Sequence, residues 1–211
     1  MKYLYNPPFV VKKLFRDFYW QTSNNKILLT FDDGPNPSST ELILKMLDEF
    51  KIKALFFCVG SNNKNYASVT KLILDAGQTI GNHTFNHKIL TRIKKDEALE
   101  EINSFNTLLE SGQNYKTKYF RPPYGKINLS TKILMRESGL KCIMWNLLTY
   151  DYQNEFIKVK FVVDKYLQQN SIVVFHDSNK SKDIIEDSIK YIYEKVVKTG
   201  YQFGEPEECL K

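Results

Sequence analysis

Histidine is scarce in this 211-residue chain, and all three copies stand where they could do work: His83 and His87 in His83-Thr84-Phe85-Asn86-His87, and His176 directly after Ile172-Val173-Val174-Phe175. Two imidazoles four residues apart can reach one metal ion from a single helical turn, at metal to nitrogen distances of about 2.0 to 2.1 Å. A third ligand is required. The pair Asp32-Asp33 closes another apolar run, and consecutive side chains leaving a strand diverge. One carboxylate can therefore bind the metal while its neighbour faces the substrate water. A His/His/Asp set is open, and a zinc ion lowers the pKa of water held in the remaining position towards about 7, as a hydrolytic nucleophile requires. Each piece alone has an ordinary explanation: a solvated histidine pair, a turn after a strand, a hydrogen-bonded core histidine. Their joint occurrence, in order and at strand ends, points to chemistry.

The elements that must position these groups alternate along the chain. Strand-length apolar runs occupy 27–31, 54–59, 78–82, 118–120, 140–145, 172–175 and 201–203. Between them lie helical patterns at 41–50 and 69–76, a long helix capped by Asp96 and ended by Gly112, and further helices at 131–138, 157–168 and 183–198. About seven strands alternating with helices, without repeats or linkers, predict one α/β domain, a β/α barrel, over residues 26–211. In such a barrel the C-terminal strand ends open on one face. Asp32-Asp33, His83 with His87, Arg121-Pro122-Pro123-Tyr124-Gly125, Tyr150-Asp151 and His176-Asp177 should meet there.

Composition narrows the alternatives. With 42% hydrophobic and 26% charged residues, 13 Tyr and 14 Phe, the chain can build a core and is neither disordered nor fibrous. Cys58, Cys142 and Cys209 form no even framework and no C-x-x-C pair; the first two read as buried thiols. The net charge of +6 is concentrated in residues 1–26, where Lys2, Lys12, Lys13, Arg16 and Lys26 face Asp17 alone. No zinc finger, RNP-like motif or basic stripe outside this arm supports a nucleic-acid partner. Val10, Val11, Leu14, Phe15, Phe18 and Tyr19 recur at helical spacing in the arm, residues 1–25. The preferred reading is a helix docked on the barrel; the other is membrane-surface contact through residues 9–19. No signal peptide or membrane span is visible, which leads us to expect a cytoplasmic or membrane-peripheral location. No G-x-S-x-G, P-loop or G-x-G-x-x-G occurs.

Taken together, Thr30-Phe31-Asp32-Asp33-Gly34, His83-Thr84-Phe85-Asn86-His87, Arg121-Pro122-Pro123-Tyr124-Gly125, Asp151-Tyr152 and Val174-Phe175-His176-Asp177 resemble the five ordered motifs of the polysaccharide deacetylases. This is carbohydrate esterase family 4, the NodB-homology group, and the likeness covers about residues 26–204. It implies a deformed (β/α)7 barrel, here with a short N-terminal helical arm. It also implies a metal held by Asp33, His83 and His87, zinc first, with cobalt or nickel as alternatives. By the same resemblance Asp32 is the general base and His176 the general acid. Arg121 tunes Asp32, Asp151 orients His176, and the Tyr124 backbone N–H donates to the oxyanion. The expected function is metal-dependent N-deacetylation of an N-acetylated sugar or polysaccharide. O-deacetylation and a non-catalytic carbohydrate-binding role on the same fold are the alternatives. Many family members carry Asp-x-x-Asp-Trp in the fourth motif, where this chain has Leu148-Thr149-Tyr150-Asp151-Tyr152. The departure alters the wall of the acetyl pocket. Phe175 in place of a common leucine is a packing change. Tyr124, Trp145, Tyr150 and Tyr152 are candidates to stack on sugar rings, although a strand aromatic such as Trp145 is more often core.

Overall fold

The computed structural model describes residues 5–211. A short helix α1 (Phe9–Leu14) precedes β1 (Leu28–Asp32), α2 (Thr40–Glu49) and β2 (Leu55–Cys58). Helices α3 (Gly60–Asn65) and α4 (Ala67–Asp75) lead to β3 (Thr79–Asn82), and the long α5 (Lys95–Gln113) leads to β4 (Tyr119–Phe120). There follow α6 (Leu129–Ser138), β5 (Lys141–Cys142), β6 (Leu147–Leu148), α7 (Phe156–Tyr166), β7 (Ile172–His176), α8 (Ile185–Thr199) and α9 (Pro206–Cys209). Every strand pairing is parallel, in the order β5-β4-β3-β2-β1-β7-β6. The sheet curls into the expected deformed barrel, with β5 and β6 as its two unpaired edges.

Alternation along the strands sorts side chains between two layers, because successive Cβ atoms point to opposite faces. Leu29 and Phe31 of β1 and Phe56 and Cys58 of β2 pack outward against the helices, with Ile43, Leu47, Ile189 and Ile192. Leu28, Leu55, Phe57 and Ile172 fill the barrel interior, closed from below by Cys209 and Leu210. Fully burying a Leu, Ile or Phe side chain contributes roughly 1.5–3 kcal/mol, so these layers carry the stability. The same alternation places Thr30 and Asp32 on the inner face with Leu28, rising towards the rim where the strands end.

Several expected elements change. The strand expected at 140–145 shortens to β5, and the chain after it crosses the seam to β6 on the opposite edge of the sheet, which begins at Leu147 beyond the expected run. The carbonyls of Ile143 and Met144 accept hydrogen bonds from the Arg121 side chain (2.9 Å each) instead of from a neighbouring strand. Residues 201–203 form only a single bridge, Ile27 to Phe203, and the seventh strand is β6. The long helix starts at Lys95 with no side-chain cap; Asp96 lies in its first turn, and Gly112 precedes the end, where Asn114 turns left-handed. Helices α3 and α9 were not anticipated, since neither is long enough to show periodicity. Among the described residues, no helix is long and apolar enough to cross a membrane.

Candidate active site

Asp33, His83 and His87 come together at the rim, with one ligand atom from each within 4.8 Å of the others. The Asp33 Oδ1 lies 3.6 Å from His83 Nε2 and 3.2 Å from His87 Nε2. The His83 Nδ1 is 2.7 Å from the Arg121 carbonyl. A carbonyl only accepts, so Nδ1 carries the proton and Nε2 presents a lone pair to the cluster. Two neutral imidazoles and a carboxylate are a donor set suited to a divalent transition metal. The histidine pair does not sit on a helical turn, as the spacing suggested. It sits on a loop with Thr84 (φ 67°) and His87 (φ 57°) in the left-handed region. Asp33 (φ 77°), Tyr124 (φ 58°) and Tyr150 (φ 63°) share that conformation. Such backbone costs of order 1–3 kcal/mol per residue and persists only where the surroundings over-determine it.

Asp32, beside the cluster, is held from within the barrel. Arg121 is fully buried, and its Nη1 donates to Asp32 Oδ1 (2.7 Å) and Thr30 Oγ1 (2.6 Å). Its guanidinium also lies 4.2 Å from the Phe57 ring centre. Burial pulls the guanidinium pKa down while the Asp32 charge opposes that, and the group stays charged. Asp32 and His176 are direct partners in the β1–β7 register, which puts both at the rim.

His176 leans on Asp151, whose carboxylate is fully buried. Asp151 Oδ1 accepts from His176 Nδ1 (2.7 Å) and Thr149 Oγ1 (3.0 Å), and Oδ2 accepts from the His176 backbone N–H (2.7 Å). Burial lowers the imidazole pKa, but the Asp151 charge and hydrogen bond, aided by Asp33 and Asp32, reverse this and raise it to about 9. The pairing favours the protonated imidazole and leaves Nε2 for a ligand. The Tyr152 ring stands edge-on to it at 4.8 Å.

Asp32, the metal cluster, Tyr152 and His176 line one cavity of about 280 Å³, together with Tyr124, Gly125, Trp145, Leu148, Val174 and Lys180, while Arg121 and Asp151 stand behind Asp32 and His176. Tyr124 is 63% exposed, its ring 4.7 Å from that of His87, and its backbone N–H meets no acceptor among the described residues. All eight residues singled out from the sequence are therefore in or against this cavity. Two residues that hold it had no role assigned from the sequence: Asp177, which its motif places at the rim, and Glu101. Fully buried Asp177 accepts from Ser39 and Thr40 (2.5 Å each) and packs under Gly34, where any Cβ would collide with it. Burial raises its pKa to about 6 despite those hydrogen bonds. Glu101 of α5 accepts from the Asn86 backbone (2.7 Å) and side chain (2.8 Å), clamping the histidine loop. Asp177 carried a signal, being a carboxylate at the end of an apolar strand; Glu101 carried none, lying on a helix of many acids.

The polysaccharide deacetylase family model matches residues 20–143, more than half of the chain. The chain belongs to the polysaccharide deacetylase family. It is 33% identical over 183 residues to the peptidoglycan-N-acetylmuramic acid deacetylase PdaC of Bacillus subtilis, covering 85% of this chain and 38% of that protein. It is 31% identical over 204 residues to a peptidoglycan-N-acetylglucosamine deacetylase of Bacillus cereus, covering 91% of this chain and 92% of the relative. The solved structure of the Bc1960 peptidoglycan N-acetylglucosamine deacetylase superposes with a TM-score of 0.88 at 25% identity, over 96% of each chain. This deacetylase-family chain thus spans well under half of PdaC but nearly all of the shorter B. cereus relative.

Proposed function

We propose that the protein is a metal-dependent N-deacetylase of N-acetylated glycans, with residues 26–211 as the catalytic domain and 1–25 as an arm. The observation that carries the reading is the opposition across one small cavity of the Asp33/His83/His87 cluster, a buried carboxylate paired to Arg121, and an imidazole paired to Asp151. Peptidoglycan and chitin deacetylases among the relatives support an acetamido sugar as substrate. Zinc is the proposed metal, bound by Asp33 and the two imidazoles. It would supply Lewis acidity to the acetyl carbonyl and lower the pKa of a water.

The rest falls to the chain's own groups. Asp32 Oδ1 is occupied by Arg121, so Oδ2 takes the proton from the attacking water as the water oxygen bonds to the acetyl carbon. Arg121 fixes the orientation of Asp32 through a charge-assisted hydrogen bond. The Tyr124 N–H, turned by its left-handed backbone and without a partner of its own, donates to the oxyanion. When the C–N bond breaks, His176 Nε2 delivers its proton to the amine nitrogen, while Asp151 keeps the ring oriented through Nδ1. The products are acetate and a free amino sugar.

Acetate release from N-acetylated oligosaccharides and peptidoglycan fragments, with and without prior metal chelation, tests this. Release that is lost on chelation and restored by zinc is expected. Release only from O-acetylated glycans would move the activity to esters. No release from either, with the cluster metal-loaded by elemental analysis, would leave a binding protein on this fold.

A further inference from the structure

The arm builds a second cavity. The Tyr5 carbonyl accepts from the Leu148 N–H on β6 (2.9 Å), while Tyr19 donates to Cys142 O (2.9 Å) and accepts from Met144 N (2.7 Å) beside β5. The arm therefore runs from one unpaired edge of the sheet to the other. Beneath it lies a cavity of about 490 Å³, walled on the arm side by Pro7, Pro8 and Val11. It shares Tyr124, Gly125, Trp145, Leu148 and Tyr152 with the active-site cavity, so one ligand can occupy both. The arm residues precede position 20, where the match to the family begins.

The lining states what would fit. Among the described residues its polar side chains are Lys126, Gln153, Tyr124, Tyr150 and Tyr152, and none is a carboxylate. A sugar ring placed there could stack on an aromatic ring but would find polar partners only at Lys126, Gln153 and the tyrosine hydroxyls, at a cost of about 1–3 kcal/mol for each polar group left unpaired. A hydrocarbon chain needs no partners and gains from every methylene buried. The outer surface of the arm agrees. Phe9, Val10 and Leu14 are exposed beside Lys13 and Arg16, and Lys132 of α6 donates to Leu14 O (2.9 Å). Apolar side chains among cations are what an anionic bilayer surface would meet.

We propose that this cavity binds the apolar aglycone of an N-acetylated glycolipid whose acetamido group lies in the active-site cavity. The proposal rests on the deacetylase reading and adds the substrate class: an acetamido sugar joined to an alkyl or isoprenoid chain. Val11, Leu148 and Tyr150 would then set specificity through packing rather than through hydrogen bonds.

The test compares octyl and methyl glycosides of N-acetylglucosamine, below the micelle concentration of the former. Binding is measured by calorimetry to the zinc-loaded Asp32→Asn protein, and KM and kcat from acetate release by the wild type. The octyl compound is expected to bind about tenfold tighter or better, since a few buried methylenes suffice for that factor. Its KM should fall by a similar factor with kcat unchanged. Val11→Asp, which puts a carboxylate into the apolar wall, should abolish the preference and leave the methyl glycoside as before. If Val11→Asp does not fold, the octyl to methyl ratio of the unmodified arm still decides. Equal binding of the two glycosides overturns the proposal. So does a larger gain for chitotriose that Val11→Asp removes, which would make the cavity a sugar subsite. Octyl preference in binding without acetate release from any substrate would sink the deacetylase reading and spare the cavity. Normal release from methyl glycoside without octyl preference would do the reverse.

Discussion

In the cavity that holds the three histidines, Asp32 and His176 are each anchored to a charged residue from another part of the chain, through Arg121 and Asp151. In the cavity beneath the arm the walls are mostly prolines, aromatics and aliphatics, and among the described residues the cation Lys126 is the only charge. The first is a polar network in low dielectric, where each member is held in place and each loss strands a buried partner. The second is a packed apolar surface, where losing a methylene removes contacts and strands nothing. Substitutions in the first should act on chemistry and fold in large steps; those in the second should grade specificity. The two share Tyr124, Gly125, Trp145, Leu148 and Tyr152, so the contrast is drawn across a single wall.

The largest effect is expected in the metal cluster. Asp33→Ala should lose the metal and turnover together, whereas Asp32→Asn should keep the metal and lose turnover, because an amide cannot accept the water's proton. Elemental analysis beside acetate release reads both; a metal-free Asp32→Asn with an active Asp33→Ala would exchange their roles.

Next comes His176. His176→Ala should lower amide hydrolysis by about 10²- to 10⁴-fold, the usual contribution of a general acid, and ester hydrolysis by less, since an alkoxide leaves with less need of prior protonation. Wild-type rates across the pH range would reduce His176 to a packed strand-end residue. With its pKa raised to about 9, the alkaline limb of the wild-type profile should lie near there, and Asp151→Asn should move it to lower pH. The sign for stability follows. A histidine pKa raised in the folded state adds stability that is complete below its unfolded value, near 6.5, and is lost as pH rises through about 9. Melting temperatures of wild type and Asp151→Asn should therefore converge as pH climbs through that window; a constant gap would assign the loss to packing.

Arg121→Met breaks the network from inside the barrel. It leaves Asp32 buried without its counter-ion and frees the carbonyls of Ile143 and Met144 at the seam. A loss of about 3–5 kcal/mol is expected from denaturant unfolding. A loss below about 1 kcal/mol would show that water replaces the guanidinium at no great cost.

The two faces of the arm should differ, and its outer face should show the smallest effect of all. Phe18 is 6% exposed and packs with Phe15, Leu134 and Met135, so Phe18→Ala should cost about 3–5 kcal/mol. Phe9, 76% exposed, should change stability by no more than about 0.5 kcal/mol on conversion to Ala. Equal losses at both positions would mean that the arm's outer face is covered in solution.

The residues that do chemistry were legible because they cluster at strand ends in short stretches, and a parallel sheet brings strand ends together whatever the details between them. The five-residue β1 and β7 were legible for the same reason: runs buried on both faces are continuous and apolar. The boundary failures lie where pairing is set from elsewhere. The run at 140–145 has strand composition throughout. It nevertheless stops as a strand after Cys142, where Arg121, more than twenty positions away in sequence, takes the carbonyls of Ile143 and Met144. The left-handed loop that joins His83 to His87 is held locally by Asn82, which accepts from the Thr84 N–H, and from α5 by Glu101, which accepts from Asn86 and which nothing in the histidine segment announced. The arm's periodicity was visible, yet its position across the seam depends on both sheet edges being left open. The sequence by itself determined which groups would stand at the rim, since residue type and strand register are local properties. Tertiary structure alone decided which carboxylate is held by Arg121, which imidazole by Asp151, and what lies beneath the arm, since each depends on contacts between segments far apart in the chain.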